Sequence, residues 1–374
     1  MKKEFGILKI VEANPTYTIA ENDQVKVFKS DEYNYQIDKT NGYFMRWGVK
    51  KEHNPTRSIF GPEIADIEIT TICKGPGGKL CPFCYKGNTN DGHNMTFEEF
   101  KKIFHKIPRT LTQIAFGADA GGITNPDLFK MMDYCRNNDY NKVTPNITVA
   151  DISDEVADKL AELAGAVAVS FYKHAGKDYC YNTIDKLYKR GMKQINIHFM
   201  LSKETVGDID ELIHDTKTDP RLKGLNAIVF LSLKTKARGE KYLQCSQEEF
   251  NKVIDKCFEF EVPHGCDSCS AMKYLKAIKD RPDFDYLKTF IESCESTKFS
   301  LYISELGKVF PCSFMENTKE FWEQADGYNM LDDEFIPDAG SFLTKVWNGE
   351  RFTEFGMKTI MCNTCGEGCQ YYAI

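Results

Sequence analysis

Between residues 65 and 233 short apolar runs alternate with segments whose apolar residues recur at helical spacing. The runs are "ADIEITTIC", "TQIAFGA", "NITVAD", "VAVSFYK", "QINIHFML" and "NAIVFLSL". Each has the length and β-branched content of a buried strand. Between them, Thr96 and Glu99 form a capping box ahead of Phe97, Phe100, Phe104 and Ile107. Asn125-Pro126 opens a helix carrying Leu128, Met131, Met132 and Cys135 on one face. Ser153 caps a third, with Val156, Leu160 and Leu163, closed by Gly165. Thr183 leads a fourth that ends near Gly191. Six alternations of strand and helix predict parallel strands joined by right-handed crossovers. Runs this apolar predict strands covered on both faces, in a doubly wound sheet or a barrel. In either, ligands gather at the C-terminal ends of the strands.

The flanks differ. Residues 1–62 read as a β-rich extension, with "VKVFK", "YNYQID" and "YFMRWG" as strands and an Asn-Gly turn in "DKTNG". The alternating array takes residues 63–245. Residues 246–374 begin with a second capping box, Ser246 and Glu249, and then turn toward Cys, Gly and short strands. No repeat beyond the strand–helix unit and no low-complexity tract is present.

Composition narrows the classes. The 374 residues are 42% hydrophobic and 28% charged, with a net charge of -7. That is enough apolar content for a sizeable core. No Lys/Arg stripe suits duplex nucleic acid, so no nucleic-acid partner is expected. No run approaches the roughly 18 apolar residues of a membrane span. The apolar start "FGILKIVE" is broken by Lys9 and ends at Glu12, too short for a signal peptide. A cytoplasmic location is expected.

Fourteen cysteines are many for such a chain. Without an export signal they point to metal ligands or buried thiols. Cys73, Cys81 and Cys84 fall in "CKGPGGKLCPFC", spaced C-x7-C-x2-C, with Cys73 ending the first strand. The cluster therefore lies at the ligand-binding end of the array. Three thiolates can hold a metal centre and leave one position open, whereas a structural zinc site is closed by four ligands. A zinc loop with a distant fourth ligand, His93 or His105, is the alternative. The glycines are no phosphate loop, because Leu80 follows Gly78-Lys79 and no glycine stands five residues before Gly78. They suit a turn-rich bulge.

These residues resemble the radical SAM superfamily, which places three cysteines after the first strand of a partial (βα)6 barrel. The resemblance implies that Cys73, Cys81 and Cys84 hold a [4Fe-4S] cluster. The open iron of such a cluster chelates S-adenosylmethionine, and reductive cleavage yields a 5'-deoxyadenosyl radical. Iron–sulfur potentials extend down to roughly -700 mV, the range such a reduction needs. The first gap departs from the commonest family spacing, C-x3-C-x2-C. The resemblance also implies cofactor roles for Phe83 beside adenine, Gly117 and Asp119 near the methionyl amine, and Ser170 and His198 on later strands. Asp119 stands where the family commonly has Glu. Arg238, or Lys234, in "FLSLKTKARGE" is placed to meet a carboxylate.

Seven further cysteines lie between Cys266 and Cys369. "CESTKFSLYISELGKVFPC" reads C-x12-G-x4-C from Cys294 to Cys312, and "CNTCGEGC" holds Cys362, Cys365 and Cys369. This is similar to the SPASM/Twitch extension, whose glycine turns a hairpin between two cysteine ligands. The likeness implies one auxiliary [4Fe-4S] cluster on Cys294, Cys312, Cys362 and Cys365, with Cys269 or Cys369 able to replace one. Two clusters, or a zinc ribbon, are the alternatives. Cys266 adds to the upstream pair "GCDSC". Cys135 and Cys257 sit on apolar helix faces and read as core, while Cys180 and Cys245 carry no assignment.

The expectation is thus an α/β chain: an N-terminal β-extension, a partial (βα)6 TIM-like barrel, and a Cys-rich SPASM/Twitch-type C-terminal part. The implied activity is hydrogen abstraction from a substrate, with a ribosomally made peptide favoured, although no recognition wing is evident at the N-terminus. An electron donor such as flavodoxin or ferredoxin would be needed. The alternatives are a radical dehydrogenase on a small molecule and a zinc-stabilised binding protein.

Overall fold

The computed structural model describes residues 7–50, 54–316 and 328–365. Five antiparallel strands, β1 (Lys9–Ala13), β2 (Tyr17–Glu21), β3 (Val25–Ser30), β4 (Tyr33–Asp38) and β5 (Phe44–Gly48), form a meander in chain order. The turn before β5 uses Gly42 at φ +73°, the left-handed region that glycine enters without steric cost. One face buries Ile19, Phe28, Tyr33 and Tyr35 against Phe60. β1 and β2 escape a sequence reading because their apolar residues are interrupted by Lys9, Glu12 and Glu21.

The second sheet has ten strands. The six expected runs are β6 (Ile64–Glu68), β7 (Gln113–Gly117), β8 (Thr144–Val149), β9 (Ala166–Ser170), β10 (Ile195–Leu201) and β11 (Ala227–Ser232). All pair in parallel with their chain neighbours, and a seventh, β12 (His264–Cys266), continues beyond β11. Helices α1 (Phe97–His105), α2 (Leu128–Asn137), α3 (Asp154–Leu163), α4 (Lys177–Lys189), α5 (Ile209–Thr218) and α6 (Gln247–Glu259) connect them one by one. Both capping boxes form, at Thr96/Glu99 and Ser246/Glu249.

Two helices differ from expectation. α4 starts six residues before Thr183, after Gly176 at φ +111°, and Thr183 is a buried mid-helix residue whose hydroxyl donates to Ala150 O at 3.1 Å. α5 had no sequence counterpart, because its apolar residues Ile209, Leu212 and Ile213 are few among acids.

The strands also differ from expectation in a way that sets the architecture. They are not covered by helices on both faces. β10 alternates buried and half-buried residues along its whole length. Outward residues such as Ile67, Phe116, Val169, Ile197 and Phe230 pack into the main core with Phe100, Met131, Leu160, Ile184 and Leu212. Inward residues include small and polar ones, Asp66, Glu68, Ala115, Gly117, Thr148, Ser170 and His198, beside Met200 and Leu231. A sheet with a polar, cavity-facing inner surface is a partial barrel rather than a doubly wound sheet.

The C-terminal part extends this same sheet. β13 (Ser300–Ile303) pairs in parallel with β6, and β14 (Lys308–Phe310) and β15 (Tyr328–Asn329) follow antiparallel. The β13–β14 turn contains Gly307 at φ +78°; a Cβ there would lie 2.8 Å from the Leu331 side chain. Helices α7 (Ala271–Ile278) and α8 (Glu350–Cys365) are the longer helices of this part, with short helical turns at Phe284–Leu287 and Ala339–Phe342 between them. Among the described residues no helix is long and apolar enough to cross a membrane.

Arg46 on β5 fastens the meander to the barrel. Its guanidinium donates to Glu63 at 2.7 and 2.9 Å and to Glu295 at 3.1 Å, and lies 3.4 Å from the Phe299 ring centre. Glu63 is buried and also accepts from the Tyr33 hydroxyl at 2.8 Å. Removing the arginine strands a buried carboxylate. Arg46→Ala should cost about 3–5 kcal/mol in chemical denaturation, and adding Glu63→Gln should return part of it. A loss below about 1 kcal/mol, the size of an exposed pair, would show that this contact does not secure the interface.

Candidate functional site

β6 delivers the chain to the barrel mouth, and residues 73–88 form a loop across it. The loop is closed at its base by Cys73 N–H donating to Thr89 O at 2.6 Å. Within the insert, Gly75 and Gly77 take φ +71° and +57°, and a Cβ on either would collide, with Lys79 O or the Tyr179 ring. The detour is thus a compact turn seated on α4, which carries Tyr179.

A cavity of about 490 Å³ opens beneath this loop. Cys73, Cys81, Cys84, Phe83, Gly117, Asp119, Ser170, His198 and Arg238 all line it, together with Lys234. Residues from six consecutive strands or their loops are brought to one space, and β13 adds Tyr302.

Their bonding refines what each can do. Arg238 does not point an unengaged fork at the cavity. Nε donates to Cys81 O at 2.9 Å, Nη1 to Gly87 O at 3.1 Å and Nη2 to Asn88 O at 3.0 Å. It clamps the cysteine loop to the segment after β11. The residue before it, Ala237, is held at φ +49°, a conformation that costs a non-glycine residue about 1–2 kcal/mol. Strain of this kind persists where surroundings over-determine it. Asp119 likewise accepts from the amides of Gly121, Ile123 and Thr124 at 3.0–3.1 Å and shapes the loop after β7. His198 is neutral, because burial lowers its pKa to about 4. The Phe83 ring lies among Tyr172, His174 and Tyr242, with centroids 5.7–6.0 Å away.

The three thiols are half-buried and none is in a disulfide. Burial pushes the Cys81 thiol up to about 12, with Cys84 adding to the shift. A cation beside it would reverse that preference. Gly75 N–H donates to Cys73 Sγ at 3.4 Å, the kind of bond that stabilises a ligating sulfur. Among the described residues no three His, Cys, Asp or Glu side chains converge as ligands of a single metal ion. Three thiols lining one cavity match the donor set that a [4Fe-4S] cluster takes.

Cys269, Cys294 and Cys312 are electrostatic neighbours, and burial with mutual repulsion raises the Cys269 thiol. Asn363 on α8 donates to Cys294 O at 3.2 Å, which brings the helix end carrying half-buried Cys362 to the same region. Cys369 and the side chain of Cys365 lie outside the described residues. Cys135, Cys180, Cys245 and Cys257 are buried.

Sequence reasoning missed a polar group on the inner wall. Asp66 and Glu68 on β6 face the cavity, and burial raises their pKa values to about 6 and about 7. Lys86 lies 3.7 Å from Glu68 and also pairs with Glu316, and Tyr302 donates to Glu316 at 3.1 Å. The signal was available: in "ADIEIT" acids alternate with Ala and Ile, so both acids must share one face.

Arg238→Ala removes three hydrogen bonds to loop carbonyls. Amide exchange across residues 73–89 should quicken by at least about tenfold, from the ~1 kcal/mol a typical bond contributes. Arg238→Lys should restore little, since an ammonium lacks the planar fork. Unchanged exchange in both variants would show that the loop is held elsewhere.

No protein-family model matches the chain. The uncharacterized protein MJ0907 of Methanocaldococcus jannaschii is 24% identical over 268 residues, 67% of this chain and 84% of that protein. Among solved structures, SuiB of Streptococcus suis bound to the precursor peptide SuiA superposes with a TM-score of 0.65. That pair is 11% identical and the match covers 97% of this chain and 95% of SuiB. SuiB bound to S-adenosylmethionine gives 0.60 at 12% identity, covering 87% of each chain. The fold implied by the resemblance to radical SAM enzymes is therefore the fold observed, and the chain shares it with SuiB.

Proposed function

We propose that the protein is a radical SAM enzyme with an auxiliary iron–sulfur centre, acting on a peptide. The single observation that carries this reading is the cavity: three cysteines of one loop, none in a disulfide, line the mouth of a partial barrel whose inner wall carries Asp66, Glu68, Ser170 and His198. A bound [4Fe-4S] cluster would supply an electron to S-adenosylmethionine and so a radical able to abstract hydrogen. Cys73, Cys81 and Cys84 would hold it. Arg238 fixes the loop carbonyls and so the thiol positions. Phe83 lines the cavity with its ring among Tyr172, His174 and Tyr242, and would lie beside the purine. Ser170, neutral His198 and Lys234 offer hydrogen bonds and charge along the opposite wall.

Cys294, Cys312, Cys362 and Cys365 would hold the auxiliary centre, with Cys269 or Cys369 able to replace one. Peptide as substrate is favoured by the likeness in fold to SuiB, crystallised with its precursor peptide. The boundaries 1–62, 63–245 and 246–374 separate extension, barrel and auxiliary part in this reading. A flavodoxin or ferredoxin would be the electron donor, in a cytoplasmic setting.

Anaerobic purification followed by iron and sulfide analysis tests this directly. The protein should be brown, and dithionite with S-adenosylmethionine should release 5'-deoxyadenosine. Substituting Cys73, Cys81 and Cys84 together by Ala should abolish that release while leaving about four irons per chain, one Cys-ligated cluster. A colourless zinc protein that forms no 5'-deoxyadenosine would sink the reading.

A further inference from the structure

The charges that line the cavity can be paired off one by one. Glu68 has Lys86 at 3.7 Å, and Lys86 also meets Glu316. Asp119 is held by three backbone amides. Arg238 is held by three carbonyls. Lys234 faces Asp267 at 3.9 Å, and Asp267 accepts from Ser270 N–H at 2.9 Å. Asp66 is left over. It lines the cavity as a half-buried residue, and neither a hydrogen bond nor an ion pair engages its carboxylate among the described residues.

Its neighbours leave room beside it. Across the sheet Asp66 is level with Ala115 on β7 and Tyr302 on β13. The tyrosine is directed to Glu316 and Glu68 instead, at 3.1 and 3.5 Å. The alanine leaves a gap at the carboxylate. The nearby cations serve the other two acids: Lys86 pairs with Glu68 and Glu316, and Lys236 interacts with Glu316. An isolated buried carboxylate is costly, and its desolvation raises the pKa to about 6. A ligand that brings a positive charge would remove that cost.

Position decides whose charge it is. The cysteine loop follows the C-terminal end of β6. Asp66 is two residues before Glu68, about 6–7 Å further down the barrel. A cosubstrate held against the loop lies above it.

We infer that Asp66 is the specificity-determining anchor of a substrate subsite for an ammonium or guanidinium group, such as a lysine or arginine side chain of a peptide. This rests on the radical SAM reading for the word substrate, but the cation site itself does not. Asp66 acts as an ionised acceptor, with Glu68 and Lys86 fixing the polar wall beside it.

The test uses full-length protein purified anaerobically, its iron content measured, and n-butylammonium, with n-butanol as its uncharged counterpart. By ligand-observed NMR at pH 8, the ammonium should bind at least about tenfold more tightly than the alcohol. Asp66→Asn should abolish that preference. Asp66→Glu, which keeps the charge, should retain part of it and covers the case in which the amide variant misfolds. The folded pKa is raised, so the carboxylate charges only above about pH 6; the preference should fade as pH drops through that value. Saturating S-adenosylmethionine should leave ammonium binding in place. Equal binding of the two probes, an unchanged preference in Asp66→Asn, or displacement by S-adenosylmethionine would each overturn the subsite. Wild-type protein that prefers the ammonium but carries no iron would instead sink the radical reading and leave the subsite standing.

Discussion

The grip of Arg238 on the cysteine loop is the contact on which the site depends. A loop this long, rich in glycine, has many conformations, and ordering each residue costs on the order of 1–2 kcal/mol of backbone entropy. Arg238 comes from the far side of the array, after β11, and its fork takes carbonyls at three points of the loop. It therefore joins the first and last units of the barrel at their C-terminal ends. The left-handed Ala237 beside it is tolerated because the packing fixes both sides: Gly87 approaches so closely that a Cβ there would lie 3.4 Å from Ala237 Cβ. Beside its expected role of meeting a ligand carboxylate, Arg238 has a positioning role that the loop carbonyls show directly. An arginine in a loop after a strand looks the same in sequence whether it binds a ligand or its own backbone.

What could be read beforehand follows from period. The six barrel strands were legible as runs of Val, Ile and Phe, and the capped helices α1, α3 and α6 through a side-chain oxygen placed three residues before its partner amide. Apolarity of the runs nonetheless misled about burial. In "QINIHFML" the outward Ile195, Ile197 and Phe199 are core, while inward Asn196 and His198 are not. The alternation, rather than the apolar fraction, carries the architecture. Sites fared similarly. Cysteines at close spacing announce themselves. Asp66 and Glu68 do not, because a carboxylate in a strand signals an exposed face in most proteins, and only barrel closure turns that face inward.

Closure is itself incomplete in hydrogen-bonding terms. The sheet ends at β12 on one side, and beyond β6 on the other lie β13 and β14. Yet groups from the two sides meet. Lys236, after β11, donates to Phe314 O at 3.1 Å, and Lys234 lies 4.8 Å from the Phe314 ring. Tyr85 of the cysteine loop reaches Ser313 at 3.1 Å. Cys269, after β12, comes within electrostatic reach of Cys294 and Cys312, which flank the β13–β14 hairpin.

The second cysteine group thus sits where the open sheet would otherwise gape. Buried thiols that repel one another as thiolates are unfavourable neighbours, and the raised pKa of Cys269 expresses that. A metal centre converts the same group from repulsive to cross-linking, since ligation is available only once the seam has closed. An auxiliary cluster at this place would therefore brace the barrel whatever it does with electrons. It would also fix Asp267 and Phe314, which line the cavity from the seam side. Structural and catalytic roles would not be alternatives for such a cluster, because the wall that it would hold is a wall of the cavity.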